Sequence, residues 1–299
     1  MQVRPRRSVL YMPGSNKRAL EKAKSIPADV LIFDLEDSVA PDAKPSAREQ
    51  VASAVRNGGY GAREIVIRVN ALETPWGAGD LLAACAAAPD AILVPKVVHP
   101  GDVISVAKLL QGVHAPDKVR LWAMMETPMA ILNARAIAAT AVHAENRLSC
   151  LVMGTNDLIK ESRARALHDR FAIVPWLAMT LVAARAYRLD ILDGVYNDFR
   201  DETGLRQECE HGRTLGMDGK TLIHPSQVRP CNEIFSPTGE EIDWSRKIIR
   251  AFAAPENARK GVIVVESRMV ERLHLAMAER TVAIAEQIRE MEMVCAGSQ

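Results

Sequence analysis

The chain has 299 residues, 48% of them hydrophobic, which is enough for the cores of two domains or of one large α/β barrel. Its formal net charge is +1 and aromatic residues make up only 4%, which argues against a nucleic-acid surface or an anionic-membrane surface. The five cysteines include no C-x-x-C pair, a pattern typical of reduced thiols. We expect a cytoplasmic protein without a signal peptide or membrane span, because Pro13-Gly14 ends the first apolar run.

Short β-branched runs alternate with helical stretches along the first three quarters of the chain. Eight runs predict strands at Val9–Met12, Val30–Phe33, Ile65–Val69, Ile92–Val94, Val119–Met125, Leu148–Met153, Ile191–Val195 and Thr221–Ile223. Apolar residues at helical spacing predict helices at Lys17–Ser25, Ser46–Asn57, Gly77–Ala88, Gly101–Gln111, Met129–Ala139, Pro175–Tyr187 and Gly204–Leu215. This alternation predicts an α/β fold, a (β/α)8 TIM barrel, over residues 1–235. A doubly wound open sheet is the alternative, although it usually has fewer strands.

Residues 236–299 follow the eighth predicted strand and predict a C-terminal helical extension. A first helix runs from about Ser236 to Phe252, and Lys260–Val265 is predicted to be a short extended segment. Met269–Met291 is predicted to be one long amphipathic helix. A barrel does not need this extension, so we expect it to cover the bottom of the barrel or to form an oligomer arm that covers an active site.

Polar side chains stand at the carboxyl end of nearly every predicted strand. In a (β/α)8 barrel, chemistry takes place on the face that these ends form. The eight ends read Pro13-Gly-Ser-Asn16, Asp34-Leu-Glu36-Asp37, Arg68-Val-Asn70, Pro95-Lys96, Glu126, Gly154-Thr-Asn156-Asp157, Tyr196-Asn-Asp198 and His224-Pro225. So many polar ends on one face predict an active site there.

Two carboxylates follow neighbouring strands of this set. Glu126 comes directly after the fifth predicted strand, and Asp157 lies shortly after the sixth. Mg²⁺ sites commonly have few protein ligands, because the ion keeps waters and takes its other ligands from substrate oxygens. The alternative is that both acids only cap the helices that follow, and Thr127-Pro128 is indeed a good cap and first-turn pair. The other polar strand ends favour the metal interpretation.

Several short motifs, in order along nearly the whole chain, resemble those of the citrate lyase β-subunit-like proteins. This family includes malyl-CoA and citramalyl-CoA lyases and belongs to the HpcH/HpaI aldolase superfamily. The motifs are Ser8-Val-Leu-Tyr-Met-Pro-Gly with Arg18, Phe33-Asp-Leu-Glu-Asp-Ser-Val39, Ile67-Arg68-Val-Asn70, Val94-Pro-Lys96, Met125-Glu126-Thr-Pro128, Gly154-Thr-Asn-Asp157-Leu and Leu222-Ile-His-Pro225.

The resemblance implies a Mg²⁺-dependent barrel, usually a homotrimer, that cleaves the C–C bond of a 3-hydroxyacyl-CoA such as malyl-, citramalyl- or citryl-CoA. It implies that Glu126 and Asp157 hold Mg²⁺, or Mn²⁺ in its place, and that Arg68 binds the substrate's oxygens. Glu36 and Asp37 match acids that order metal-bound waters and brace the arginine. The cleavage is a retro-Claisen reaction, in which a guanidinium can stabilise the charge that develops on the thioester oxygen.

The same matching extends to the thioester. Arg18 and Lys22 lie where the family meets the phosphates of CoA. Gly154 and Asn156 belong to the motif that carries Asp157, and we expect them to contact substrate. Arg68 also has a structural interpretation from the residues alone, as the partner of an acid such as Asp34 or Asp37.

One departure from the family pattern concerns the C-terminal extension. Family members often read Gly-Lys-Met-Ile-Asp there, and the aspartate is thought to reach a neighbouring subunit's active site in condensation or thioester hydrolysis. This chain reads Ser267-Arg-Met-Val-Glu271, which makes Glu271 a catalytic candidate with a longer side chain. A shift of about an ångström alters rates greatly, so the departure bears on malate-synthase-like and thioesterase activities more than on cleavage.

The remaining candidate residues do not favour a zinc site or Schiff-base chemistry, and other functions stay as alternatives. The histidines form no zinc-binding spacing, and His224 is predicted to fix a loop by a backbone hydrogen bond more readily than to act in catalysis. Lys96 is a Schiff-base candidate in principle, but we interpret it as a buried charge that balances the acids. A pyruvate-type class II aldolase typically carries a histidine after the acid of the second strand, where this chain has Glu36-Asp37. A non-catalytic barrel, or a subunit that depends on an acyl-carrier-protein partner, is the third alternative.

Overall fold

The computed structural model describes residues 4–165 and 169–296. Contacts within the chain divide it into two compact units. Residues 6–235 contain the larger unit, and the described residues on either side of this range form the smaller one. In the described ranges, none of the helices is both long enough and apolar enough to cross a membrane.

The larger unit is a closed barrel of eight parallel strands, which confirms the predicted (β/α)8 fold. Each strand pairs with the next along the chain, and the eighth pairs with the first, as in Val9 with Thr221. The strands are β1 (Ser8–Pro13), β2 (Val30–Asp34), β3 (Glu64–Arg68), β4 (Ala91–Val94), β5 (Arg120–Met125), β6 (Leu148–Met153), β7 (Asp190–Asp193) and β8 (Gly219–Leu222).

Helices follow the strands along the barrel. They are α1 (Lys17–Lys22), α2 (Lys44–Asn57), α3 (Gly77–Ala87), α4 (Pro100–Gly112), α5 (Pro128–Leu132), α6 (Ala134–Ala139), α7 (Thr155–Ser162), α8 (Val174–Ala186), α9 (Glu202–Leu215) and α10 (Val228–Phe235). The helix predicted over Met129–Ala139 is divided at Asn133, whose side-chain amide donates to the carbonyl oxygen of Val98 at 2.8 Å. The predicted first helix ends at Lys22 and continues as a 3₁₀ turn over Ala23–Ser25.

Alternate residues of each strand point towards the barrel axis, and apolar side chains fill the interior. This interior cluster consists of Val9, Val30, Ile32, Val66, Ala91, Leu93, Trp122, Met124, Cys150, Val152 and Leu192. Because side chains repeat with a period of two, Asp34 and Arg68 lie on the same inward face, two residues beyond Ile32 and Val66. The apolar layers therefore support a polar layer at the carboxyl ends of the strands.

The smaller unit contains helices and a two-stranded hairpin. It comprises α11 (Gly239–Ala253), β9 (Val262–Val265), β10 (Arg268–Glu271) and α12 (Arg272–Ala296). The prediction of a helix from Met269 is wrong at its start, because Met269, Val270 and Glu271 pair with β9 and the helix begins at Arg272. Positive φ angles of 48° at Glu266 and 63° at Ser267 make the tight turn between the strands.

One face of this hairpin packs on α11, and the other is exposed. Ile263, Val265 and Val270 are at most 8% exposed and share a small core with Ile248 and Phe252. The opposite face carries exposed apolar side chains, with Val264 at 74% and its pairing partner Met269 at 67%.

The cysteines that the structure describes are buried free thiols, as expected. They are Cys85, Cys150, Cys209 and Cys231. The side chain of Cys295 lies outside the described residues.

Candidate active site

A cavity of about 300 Å³ opens at the carboxyl ends of the barrel strands. Most of the residues predicted to act in chemistry line it, together with several that sequence reasoning did not select. The lining residues are Tyr11, Asp34, Asp37, Ser38, Arg68, Met124, Glu126, Met153, Gly154, Thr155, Asn156, Asp157, Val195, Thr221 and Ile223. The structure thus brings Arg68, Asp37, Glu126, Asp157, Gly154 and Asn156 to one cavity.

Glu126 and Asp157 follow the neighbouring strands β5 and β6, and both line this cavity. Glu126 is 1% exposed and does not cap α5, because the Thr127 hydroxyl accepts the capping hydrogen bond from Ala130 N at 3.0 Å. Asp157 lies in the first turn of α7. Gly154 makes room for the pair, since a side chain there would overlap the Glu126 side chain.

Lys96 places its ammonium group at the two carboxylates. Its Nζ lies 2.5 Å from Asp157 Oδ2 and 3.6 Å from Glu126 Oε2, and its backbone N–H donates to Glu126 Oε1 at 2.6 Å. Lys96 therefore balances the acids as predicted, but its side chain is 35% exposed rather than buried. Burial opposes its charge, yet Asp157 and Glu126 together hold the pKa of the lysine above its usual value. A protonated lysine is a poor Schiff-base nucleophile.

The same charges perturb the carboxyl groups. Burial raises the pKa of Glu126 above its usual range despite the opposing effect of Lys96. Burial also opposes the charge of Asp157, but the hydrogen bond from Lys96 outweighs it and holds the pKa of this carboxyl below its usual range. The carboxyl groups of Glu126 and Asp157 thus lie beside a single positive charge, that of Lys96.

The donor set fits a hard divalent cation. Two carboxylates converge where an ammonium group now lies, and Arg68 and Met124 line the same cavity. Among the described residues, no cluster of three or more His, Cys, Asp or Glu side chains could hold a metal. Two protein carboxylates with room for waters and substrate oxygens suit Mg²⁺ and do not suit a structural zinc site.

Arg68 is tied to a buried acid on the adjacent strand. Its Nε and Nη2 donate to the two carboxylate oxygens of Asp34 at 2.6 and 2.8 Å, and both residues are at most 6% exposed. Burial opposes the charge of Asp34, but Arg68 outweighs this and holds the pKa of the carboxyl below its usual range. The structural interpretation of Arg68 is therefore realised, with Asp34 as the principal partner.

The remaining Arg68 nitrogen points towards Glu36 and Asp37. Nη1 lies 2.9 Å from Glu36 Oε2 and 3.3 Å from Asp37 Oδ2. Asp37 is solvent-exposed, whereas Glu36 Oε2 is buried and its contact with Arg68 lacks hydrogen-bond alignment. Burial raises the pKa of Glu36 to about 8 although Arg68 opposes the shift. A carboxyl group that keeps its proton near neutral pH can exchange it with a ligand.

A buried polar network holds the loop that carries Glu36. The Lys44 ammonium donates to the carbonyl oxygens of Leu35 and Glu36 at 3.0 and 2.9 Å and to Asn70 Oδ1 at 2.7 Å. Asn70 Nδ2 in turn donates to Asp80 Oδ2 at 2.5 Å. These contacts fix the loop after β2 against the end of β3.

Tyr11 adds a hydroxyl that sequence reasoning missed. Its ring lies under the guanidinium of Arg68, with 4.8 Å from the Arg68 Cζ to the ring centre. The hydroxyl oxygen is buried and has no hydrogen-bond partner among the residues that the structure describes. Burial raises the pKa of Tyr11 well above its usual value, so the phenol keeps its proton. The only sequence signal was the alternation that turns Tyr11, like Val9, towards the barrel axis.

On the opposite rim, two loops are joined by a pair of amides. Asn156 Nδ2 donates to Asn197 Oδ1 at 3.2 Å, and Asn197 Nδ2 donates back to Asn156 Oδ1 at 2.8 Å. Next to them, His224 accepts from Ser226 N at 3.2 Å and stacks on Phe199 at 4.6 Å between ring centres. The predicted role of His224 in fixing a loop is confirmed.

Four predicted residues are not among those that line the cavity, namely Glu36, described above, and Arg18, Lys22 and Glu271. Arg18 and Lys22 are exposed on α1 and are not among the residues that line the cavity described above. Glu271 belongs to the smaller unit, where it ends β10 and its backbone N–H donates to His274 Nδ1 at 2.9 Å.

Comparison with known proteins identifies the family of the chain. Residues 7–225 match the model of the HpcH/HpaI aldolase/citrate lyase family. A (3S)-malyl-CoA thioesterase of Cereibacter sphaeroides is 50% identical over 287 residues, which cover 96% of this chain and 97% of that protein. The citrate lyase subunit beta of Escherichia coli K12 is 33% identical, with 93% and 95% covered. Human mitochondrial citramalyl-CoA lyase is 30% identical, with 96% and 87% covered.

A solved structure shares the architecture. CitE of Mycobacterium tuberculosis, in complex with magnesium, acetoacetate and coenzyme A, superposes with a TM-score of 0.74 and 27% identity. The match covers 95% of this chain and 98% of that one. Sequence motifs, barrel and relatives agree, and the chain belongs to the HpcH/HpaI aldolase/citrate lyase family of enzymes.

Proposed function

We propose that this enzyme is a divalent-metal-dependent lyase that cleaves a 3-hydroxyacyl-CoA of the malyl-CoA type. Cleavage of the C2–C3 bond gives acetyl-CoA and a 2-oxo acid, which is glyoxylate from malyl-CoA, pyruvate from citramalyl-CoA and oxaloacetate from citryl-CoA. The observation that carries the proposal is the convergence of Glu126, Asp157 and Arg68 on one cavity at the catalytic face of the barrel.

The metal that we propose is Mg²⁺, with Mn²⁺ as a substitute, held by Glu126 and Asp157. When bound, such an ion polarises substrate oxygens as a Lewis acid and aligns the hydroxy-acid end of the substrate. The magnesium complex of CitE supports this choice of metal. Asp34 and Asp37 also line the cavity, but their carboxylates contact Arg68, whereas those of Glu126 and Asp157 contact Lys96.

The other residues in the cavity, and Glu36 beside it, have roles that follow from their contacts. Arg68, held rigid by Asp34, presents a fixed positive charge where the thioester oxygen becomes negative. Glu36 has a pKa of about 8, so its ionised form can take the hydroxyl proton of the substrate and its protonated form can return a proton to the enolate. Asp37 braces the third arginine nitrogen from the solvent side.

We place the CoA moiety outside the cavity. Arg18 and Lys22 are exposed four residues apart on α1, so their charges lie on one side of the helix, and neither has an ion-pair partner in the described part of the chain. Gly154 and Asn156 line the cavity and are the proposed contacts of the acyl part. The complex of CitE with coenzyme A supports a CoA thioester as substrate.

Hydrolysis of the same thioester is the second candidate, and the 50% identical malyl-CoA thioesterase favours it. Water attack on the thioester carbonyl would release CoA and malate instead of acetyl-CoA and glyoxylate. Both reactions place negative charge on the thioester oxygen, so Arg68 serves either one. A pyruvate-type aldolase remains disfavoured by Glu36-Asp37. Dependence on a carrier-protein subunit is a property to test, since one relative is a citrate lyase subunit.

We further propose a cytoplasmic homotrimer in which Glu271 of one subunit serves the cavity of another. The exposed apolar face formed by Val264 and Met269 supports an intermolecular contact, because exposed apolar patches commonly mark interfaces. Glu271 ends the strand that carries this face.

The experiment that tests the function follows both products. Purified protein is incubated with Mg²⁺ and malyl-, citramalyl- or citryl-CoA. Trapping with phenylhydrazine measures the 2-oxo acid, and a thiol reagent measures free CoA. Cleavage gives 2-oxo acid without free thiol, and hydrolysis gives free thiol without 2-oxo acid. If neither product forms with any of the three thioesters, and none of them binds, the proposed substrate class is wrong.

A further inference from the structure

Lys96 occupies the point at which the two acids of the cavity converge. Its ammonium lies 2.5 Å from Asp157 Oδ2 and 3.6 Å from Glu126 Oε2, so it makes the contacts expected of a bound cation. The three groups are unequally accessible, since the side chain of Glu126 is 1% exposed and those of Asp157 and Lys96 are 27% and 35% exposed. Glu126 is thus held in the interior, whereas the ammonium of Lys96 can leave towards solvent.

The backbone conformation at Lys96 allows one residue to contact both acids. Its φ angle is 54°, in the left-handed region that a residue with a side chain seldom adopts. In this conformation the backbone N–H donates to Glu126 Oε1 at 2.6 Å, while the side chain of the same residue reaches Asp157. An unfavourable backbone conformation persists where surrounding contacts determine it, and such residues cluster at functional sites.

We propose that Lys96 is an internal substitute for the divalent cation. In the metal-free protein its ammonium keeps the paired carboxylates together and lowers their repulsion. Binding of the ion displaces the ammonium, while the backbone hydrogen bond to Glu126 remains. Lys96 is thus a positioning residue that stabilises the two carboxylates when no ion is bound and weakens metal binding. This inference rests on the metal site of the proposed function.

The test compares Lys96→Met with Lys160→Met. Methionine keeps the length of the side chain and removes its charge. Lys160 lies one turn beyond Asp157 on α7, is exposed, and acts on Asp157 through its charge without contact. It therefore controls for the loss of one positive charge near the site. Mn²⁺ affinity is measured by calorimetry or electron paramagnetic resonance, and thermal unfolding is measured in EDTA. Glu126→Gln identifies the part of the Mn²⁺ signal that belongs to this site.

We expect Lys96→Met to bind Mn²⁺ between about three and ten times more tightly than the unmodified protein, the range for loss of a partly exposed charge partner. We also expect it to unfold at a lower temperature in EDTA and to recover more stability on adding Mn²⁺. Lys160→Met should change each quantity much less. Equal effects of the two variants, or weaker Mn²⁺ binding by Lys96→Met, would overturn the proposal. Absence of Mn²⁺ binding by the unmodified protein would refute the metal site itself, and Lys96 with it.

Discussion

Asp34 accepts two parallel hydrogen bonds from Arg68, so the guanidinium is fixed before any substrate arrives. Such a fork-to-fork pair gives geometric precision that a lysine cannot reproduce. We predict that Arg68→Lys lowers turnover about 100-fold, the cost of a misplaced group that stabilises an oxyanion, with near-normal Mg²⁺ binding. Steady-state kinetics and Mg²⁺ titration measure the two effects. Insoluble or unfolded protein would show that the pair is needed for folding instead.

We expect the activity to depend on a metal ion held by the carboxylates of Glu126 and Asp157. Glu126→Gln and Asp157→Asn should each lower activity by about 10³-fold or more, because each removes one of only two carboxylate ligands from the proposed site. EDTA should abolish the activity of the unmodified protein, and Mg²⁺ or Mn²⁺ should restore it. Circular dichroism checks that both variants stay folded. Full activity of either variant in EDTA would contradict the assignment.

The raised pKa of Glu36 predicts that the free energy of unfolding depends on pH. Its pKa in the folded protein is about 8 and its ordinary value is 4.5. The folded state thus binds the proton more tightly, and this contribution is complete below about pH 4.5 and lost as the pH rises to about 8. Glu36→Gln removes it. Denaturant unfolding in EDTA should therefore show the variant gaining stability relative to the unmodified protein between pH 5 and about pH 8. A constant difference would refute the raised pKa.

Tyr11 and Tyr60 offer a matched pair of hydroxyl deletions. The Tyr11 hydroxyl is buried without a hydrogen-bond partner in the described part of the chain, whereas Tyr60 donates to the carbonyl oxygen of Leu20 at 3.3 Å. Tyr11→Phe should leave the free energy of unfolding unchanged or raise it by up to about 1 kcal/mol, and Tyr60→Phe should lower it by about 0.5–1 kcal/mol. Denaturant titration measures the free energy of unfolding of both variants. A loss of stability in Tyr11→Phe would mean that its hydroxyl has a partner.

The tail gives a test of the proposed oligomer. A chain truncated after Ala258 lacks the hairpin and α12, and we expect it to be smaller in solution and much less active. Mixing it with full-length Glu126→Gln should restore part of the activity, because an intact metal site on one chain would receive Glu271 from the other. Size-exclusion chromatography with light scattering verifies the mixed species. No recovery in mixed oligomers would remove Glu271 from the site.

The barrel could be predicted because its signals are local. The β-branched runs located all eight strands, and the polar strand ends identified the face that holds Arg68, Glu126 and Asp157. The start of α12 was wrong because the turn at Glu266 and Ser267 lacks the Asn-Gly or Asp-Gly signal of a tight hairpin.

Contacts between residues that are far apart in the chain could not be predicted from the sequence. The alternation turns Tyr11 towards the axis, but nothing in its neighbours reveals that its hydroxyl lacks a partner. The choice of Asp34 over Asp37 as the main partner of Arg68 depends on burial and angle, because both acids are close in the chain. Similarly, the exposure of Lys96 depends on the packing around its loop.

The Lys44 network divides the rim of the cavity into a stiff side and an adaptable side. Lys44, Asn70 and Asp80 are all buried, and they anchor the β2 and β3 ends by interlocking hydrogen bonds. Across the cavity, the amides of Asn156 and Asn197 are exposed and hydrogen-bond to each other. In proteins that evolve from this chain, changes of substrate preference should therefore arise from substitutions at the ends of β6 and β7. The stiff side should keep the reaction the same.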